Sequence, residues 1–213
     1  MCRTHPKVFN EDPILLNIPE QILTPRLILT SPKSGEGKLI AEAVRETWVD
    51  LNTWEDWAVS LEENATEEYW ELKTRKAVAQ FILRESLEFR SYCRATGKFI
   101  GITDICHPNW SVRSFIIGYW IRESEQGKGY ATEASNALLR YAFGSLSALY
   151  VGLGHAEGNQ ASSKVINRLG FKHIGARPNI LALADGRIVG DHIYYRDNLD
   201  GLPDLEVSWD FKG

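Results

Sequence analysis

Cysteine is scarce. The chain has three in 213 residues, Cys2, Cys93 and Cys106, an odd number that cannot all pair internally and a count that suits a reducing compartment. That excludes a small secreted scaffold held by disulfides. Long apolar runs are missing as well. The densest, 115–121, has a strand's length, far short of the roughly 18 residues a membrane span needs, so no membrane partner is expected. The opening MCRTHPKVFNEDPILLNIPEQ lacks the unbroken apolar core of a signal peptide, and the expectation is a cytoplasmic protein. Glycine (17) and proline (8) are too few for collagen or low complexity, and 44% hydrophobic residues exclude disorder. Nor is there a basic excess: 24 Lys and Arg stand against 28 Asp and Glu, with a pI near 5.8, so no nucleic-acid partner is expected. Cys93 and Cys106-His107 have no zinc-like spacing, so no metal is expected. Neither a G-x-S-x-G elbow nor a G-x-x-x-x-G-K-[ST] loop is present, which argues against an α/β-hydrolase and a P-loop nucleotidase.

What is there fits one domain over 1–213, with an irregular lead-in at 1–20 and a C-terminal extension at 198–213. Charge is distributed unevenly. Between Ala41 and Glu71 ten acids stand against Arg45 alone, a net −9, which leaves +5 on the rest. The block reads either as solvated helix faces or as an acidic wall that draws a cationic partner.

Periodicity supplies the element order. Residues 23–30 (LTPRLILT) alternate as one strand, with Pro25 tolerated at a sheet edge. Leu39, Ile40, Ala43, Val44, Trp48 and Leu51 recur at helical spacing. Thr66-Glu67-Glu68-Tyr69 offers an N-cap with acids in the first turn of a helix running toward Leu87. Strands 90–95 and 98–106 meet across Thr96-Gly97; a break at His107-Pro108-Asn109 precedes the buried strand 113–121. A helix at 129–143, a strand at 148–154, a helix at 159–169 and a hairpin of 174–184 with 188–196 around Asp185-Gly186 complete the order β-αα-βββ-α-β-α-ββ. The fold class is α/β (α+β): a mixed central sheet of about seven strands in three layers, with helices on both faces.

The sharpest feature is Gln126-Gly127-Lys128-Gly129-Tyr130-Ala131-Thr132, directly after the buried strand and directly before a helix. Two glycines let the backbone turn tightly and bring bare N–H groups close to a ligand. The helix behind them adds unpaired donors and a positive dipole end, a ready phosphate site. A dinucleotide fingerprint is incomplete, because Thr132 stands where its third glycine belongs.

GYWIRES, QGKGYA and the helix start TEA resemble motif A of the GNAT acyl-CoA N-acyltransferases, whose loop reads [QR]-x-x-G-x-[GA]. Asn159-x-x-Ser162, Val165 and Leu169-Gly170-Phe171 resemble that family's N-x-x-S…L-G-F segment. Trp54-Glu55-Asp56-Trp57-Ala58 and Thr24-Pro25-Arg26-Leu27 are similar to its RimJ/RimL-type branch, which acetylates ribosomal-protein N-termini. The resemblance spans roughly 22–197. It implies acetyl-CoA as acyl donor, with the backbone of Trp120, Ile121 and Arg122 on the pantetheine arm, Gln126 to Thr132 around the pyrophosphate and the Asn159 side chain on the pantetheine amides. It also implies Ser162 as proton donor to the departing thiolate, where many members use a tyrosine.

The implied reaction moves an acetyl group directly to a primary amine. An α-amino group near pKa 7.7–8.0 needs less help to lose its proton than a lysine near 10.4. Asp104 and His155, with Glu157 beyond, are candidate bases; each also reads as a strand-end polar residue bonded to backbone. Glu133 reads as a first-turn helix acid. Trp54, Glu55, Asp56 and Trp57 are assigned to the acceptor side, the tryptophans either as core or as a clamp on a cation. The expected acceptor is a cationic amine such as a protein N-terminus; a small amine of polyamine or aminoglycoside type, or an acyl-CoA-binding module without turnover, is the alternative. The 198–213 tail adds an edge strand, lines the acceptor cleft or docks on a second copy in a homodimer; the residues do not choose.

Overall fold

The computed structural model describes residues 11–209; Cys2 with the first half of the lead-in, and 210–213 of the tail, lie outside the described residues. The first apolar segment breaks where threonine and proline combine. Pro25 fixes its φ and the Thr24 hydroxyl accepts the Leu27 N–H at 2.8 Å. The expected strand 23–30 therefore folds back as a hairpin, β1 (Gln21–Leu23) and β2 (Leu27–Thr30).

Helices follow: α1 (Gly37–Glu46), α2 (Trp48–Trp54), the single turn α3 (Leu61–Asn64) and α4 (Glu67–Leu83). Ser60 and Thr66 cap the last two, their hydroxyls accepting from Glu63 and Tyr69 N–H groups. α4 stops at Leu83, short of the expected reach, because Arg84 takes a left-handed conformation (φ 61°). Strands β3 (Leu87–Cys93), β4 (Phe99–Asn109) and β5 (Ser114–Ile121) form an antiparallel meander. The expected break at 107–109 is a register shift inside β4 instead, with His107 at φ 47°. Then come α5 (Tyr130–Gly144), β6 (Tyr150–Ala156), α6 (Gln160–Arg168), the hairpin β7 (Lys172–Ala182) and β8 (Ile188–Arg196), and β9 (Ser208–Trp209).

All nine strands join one mixed sheet in the order β7-β8-β6-β5-β4-β3-β2-β1-β9. The two strands beyond the expected seven are the second arm of the first hairpin and β9, so the tail supplies an edge strand. Period-2 alternation divides the side chains between the faces. Phe115, Ile117, Val151 and Leu153 join Leu138, Tyr141, Val165 and Ile166 of α5 and α6 in the larger core. Ile102 packs with Ile40, Val44 and Leu51 of α1 and α2 in the smaller one, with Trp120 against it.

One seam is incomplete. β5 and β6 run parallel and pair only across Ser114–Ile116 and Tyr150–Gly152. Past that point β5 keeps β4 and β6 keeps β8. A gap between two strands thus opens in the middle of the sheet, and α5 and α6 both begin beside it.

Candidate active site

The register decides which backbone groups line the gap. The Arg122 N–H donates to Ile100 O across β4 at 2.8 Å. In an antiparallel ladder adjacent residues point opposite ways, so Trp120 and Arg122 address β4, whereas Tyr119 and Ile121 turn their N–H and C=O groups into the gap. Gln126 Nε2 donates to Ile121 O at 3.1 Å and to Asp50 at 3.0 Å, tying the glycine loop to the strand end.

Gly127 and Gly129 take φ of +71° and +82°, left-handed conformations that side chains strain to adopt. A Cβ on Gly127 would meet nothing within 4 Å, so the loop is open on that side. Gly129 is the N-cap of α5 and offers no side chain to cap it, which leaves the helix donors for a ligand. Behind them the Thr132 hydroxyl is buried with no partner. These features fit a diphosphate. The Lys128 ammonium is occupied: it lies 2.9 Å from Glu125, which also holds Lys98 at 2.7 Å. Tyr130 turns away from the gap, its ring under the Arg26 guanidinium and its hydroxyl donating to Cys93 Sγ at 3.8 Å, while Ala131 packs on the large core. Glu133 is structural, as its position implied. It is buried, and binds the Thr24 hydroxyl at 2.6 Å and the Arg26 backbone and guanidinium at 3.1 and 2.5 Å, pinning the first hairpin to α5.

Across the gap, Asn159 caps α6: its Oδ1 accepts the Ser162 N–H at 3.0 Å. That leaves the Asn159 amide N–H2 as a donor. The Ser162 hydroxyl lies 3.0 Å from the Tyr119 hydroxyl. Sequence reasoning passed over Tyr119; its position on the strand pointed to the large core, but a contact 43 residues away in the chain leaves no local signal.

The two candidate bases occupy opposite faces of the sheet. Asp104 shares a face with Ile102 and Trp120, toward α1 and α2. It stands opposite Gly118 on β5, where a Cβ would come within 2.5 Å of Oδ1. Glycine inside this strand is thus the room in which the carboxyl sits. Burial, then the Glu88 and Glu55 charges, push the Asp104 carboxyl up to about 7. His155 shares the other face with Leu153. Its Nδ1 lies 2.8 Å from Ala156 O and its Nε2 3.3 Å from the Tyr194 hydroxyl. The ring stacks on His192, so both nitrogens are engaged.

The four acceptor-side residues also part. Trp54 ends α2; the Arg187 guanidinium of the β7–β8 hairpin lies 5.5 Å from its ring centre and donates to Thr53 O at 3.1 Å. A Cβ on Gly158 would lie 3.6 Å from the same indole. Glu55 is raised by burial and by Asp56, against a hydrogen bond from Trp57. Asp56 is exposed, and Trp57 packs edge-on against Trp70 at 5.3 Å. Much of the acidic block has internal work: Glu46 binds Arg122 at 2.5 Å, Glu71 binds Arg75 at 2.8 Å, and Glu62, Glu63, Glu67 and Glu68 occupy first helical turns.

Among the described residues no cluster of His, Cys, Asp and Glu could hold a metal ion, and no helix is long and apolar enough to cross a membrane.

Known proteins agree with this architecture. A stretch of 79 residues, 37% of the chain, is 35% identical to YdaF of Bacillus subtilis (strain 168), assigned as a ribosomal N-acetyltransferase, and spans 43% of that relative's length. Mycobacterium smegmatis RimJ, solved with CoA-disulfide, superposes with TM-score 0.79 over 91% of this chain and 93% of its own, at 20% identity. RimL, a ribosomal L7/L12 α-N-protein acetyltransferase solved with coenzyme A, gives 0.75 over 83% and 96%, at 18% identity. A family profile for the acetyltransferase (GNAT) domain matches residues 26–172, more than half of the sequence, and the chain therefore belongs to the GNAT family.

Proposed function

We propose that the chain is an acetyl-CoA-dependent N-acetyltransferase that moves acetyl directly to the primary amine of a cationic acceptor, a protein N-terminus. The observation that carries this is the unpaired seam between β5 and β6, flanked by the open glycine loop on one side and Asn159 and Ser162 on the other. The RimJ and RimL structures, with CoA species bound, support the same donor here.

In this reading the loop backbone and the α5 N-terminus hold the diphosphate. The backbone groups of Tyr119 and Ile121 and the Asn159 amide hold the pantetheine amides. The acceptor enters from the α2 side, beneath Trp54, and its ammonium is attracted by Glu55 and Asp104. Asp104 takes the proton, and a carboxylate near 7 does so far more readily from an α-amino group near 8 than from a lysine near 10.4. The neutral nitrogen attacks the thioester carbon, the C–S bond breaks, and Ser162 donates to the departing sulfur. Positioning supplies most of the rate.

The test is calorimetric titration of acetyl-CoA into wild type, Gly129→Glu and Gly127→Glu, each checked for folding by circular dichroism. Micromolar binding by wild type, lost by at least about 100-fold in both variants, is expected from the lost left-handed turn and the added charge. Basic octapeptides with free α-amino groups, acetyl-blocked controls, polyamines and aminoglycosides are then compared as acceptors. Folded wild type that fails to bind acetyl-CoA overturns the reading; turnover of small amines alone moves the acceptor class.

A further inference from the structure

The reaction outlined above uses the Tyr119 backbone but not its side chain, and the side chain has a chemical consequence. Its ring sits at the margin of the large core beside Ile117 and Ile121, at a level where β5 and β6 have already separated. The phenol crosses that gap, and its oxygen stands 3.0 Å from Ser162 Oγ. Burial pushes the phenol up to about 12, against a hydrogen bond with Ser162, so it stays a neutral donor throughout the working pH range.

A serine in the first turn of a helix has a competing option: its hydroxyl can turn back and donate to a carbonyl three or four residues earlier, here Asn159 or Gly158. A donor pointed at Ser162 Oγ from across the gap holds the side chain outward and fills one of its acceptor positions. It leaves the Ser162 proton as the one available to a sulfur in the gap. The alternative direction, serine donating to the phenol, would spend that proton.

Proton affinities set what Ser162 can do with it. A thiol has a pKa near 8.5, far below that of an aliphatic alcohol, so full transfer from serine to the thiolate runs uphill. Ser162 therefore serves the leaving sulfur as a hydrogen-bond donor, while the proton shed by the attacking nitrogen balances the thiolate in the end. A donor of this kind gains strength when its own oxygen accepts a second hydrogen bond.

We propose that Tyr119 is a positioning residue: it donates across the split sheet to Ser162 Oγ and so aims the serine O–H at the sulfur that departs. This rests on the acetyltransferase reading. No covalent bond forms at Tyr119 and no proton leaves it.

The experiment is a double-mutant cycle of Tyr119→Phe and Ser162→Ala, measured with acetyl-CoA and the best octapeptide from the panel above. Tyr119→Phe keeps the ring and removes the hydroxyl. It should lower kcat about 3- to 10-fold, the usual worth of a hydrogen bond between neutral groups, and change acetyl-CoA affinity by less than about twofold. Ser162→Ala should cost at least as much, and adding Tyr119→Phe to it should cost nothing more. In 13C-tyrosine-labelled protein, the Tyr119 ring resonance, assigned by its loss in Tyr119→Phe, should move in Ser162→Ala and on addition of CoA. Multiplying losses in the cycle, or an unchanged kcat in Tyr119→Phe, overturns the positioning role and leaves the acetyltransferase reading intact. Wild type that binds no acetyl-CoA overturns both.

Discussion

The two ends of the cleft handle charge in opposite ways. At the glycine loop the cationic side chains are held in ion pairs: Lys128 and Lys98 share Glu125, and Arg26 is held by Glu133. Three cations there face two carboxylates, so each positive charge is engaged, and the donors left open are backbone N–H groups. At the α2 end burial and the Glu88 and Glu55 charges raise the proton affinity of Asp104, and burial and Asp56 raise that of Glu55. Glu88 has Arg90, but Asp104 has no cationic partner among the described residues. In the proposed reading a loop whose cations are already paired binds through geometry and depends little on any one side chain. An uncompensated acid group is strained until a cation arrives.

The largest expected effect is at Asp104. Asp104→Asn should lower kcat/KM for the octapeptide about 100-fold and abolish the acid limb of its pH profile, measured at subsaturating peptide. In wild type that limb should have its midpoint near pH 7, with activity rising as the carboxyl ionises. Stability moves the other way. A carboxyl whose folded pKa exceeds its unfolded value binds more protons in the native state, so wild type loses stability from about pH 4 to pH 7. Asp104→Asn should then raise Tm at pH 8 by about 2–4 °C per kcal/mol of strain relieved, and by much less at pH 4, in parallel thermal melts.

A smaller effect tests the coupling itself. Glu55→Gln removes one of the charges that burden Asp104, so the midpoint of the same profile should fall below 7; an unmoved midpoint would separate the two carboxyls. Its peptide KM should rise about tenfold. The smallest effect belongs to the ion-paired end. Lys128→Ala should weaken acetyl-CoA less than about threefold by calorimetry, because the lysine's charge is already spent on Glu125, half in solvent. A large loss there would mean that the loop works by side-chain charge after all.

Legibility in the sequence followed the range of the physics. The glycine loop, the buried strand before it and the helix behind it were readable because turn chemistry and periodicity act over a few residues. The place of Glu133 in the first helical turn was readable for the same reason, but its hold on Thr24 and Arg26 was not. The hairpin at Thr24-Pro25 was not readable: a proline tolerated at a strand edge and one that turns the chain look alike until the Thr24 hydroxyl finds Leu27. The opposite facing of Asp104 and His155 depends on the register of four strands. The fit of Asp104 over Gly118 depends on one cross-strand pair, and Tyr119 on Ser162 depends on a helix returning to a strand. The acidic block was legible as composition but not as roles, since helix starts, ion pairs and the cleft draw on the same residue types.

The unfinished seam also changes what a bound substrate is to this fold. The pantetheine arm of acetyl-CoA carries two amides spaced along a thin chain. Laid in the gap, it would meet the gap-facing backbone groups of β5, those of Tyr119 among them, much as a neighbouring strand would. The donor is then building material as well as reactant, supplying hydrogen bonding that β5 and β6 do not give each other past Ile116 and Gly152. Its melting temperature should therefore read out donor occupancy directly, rising with the logarithm of acetyl-CoA concentration once the site is saturated.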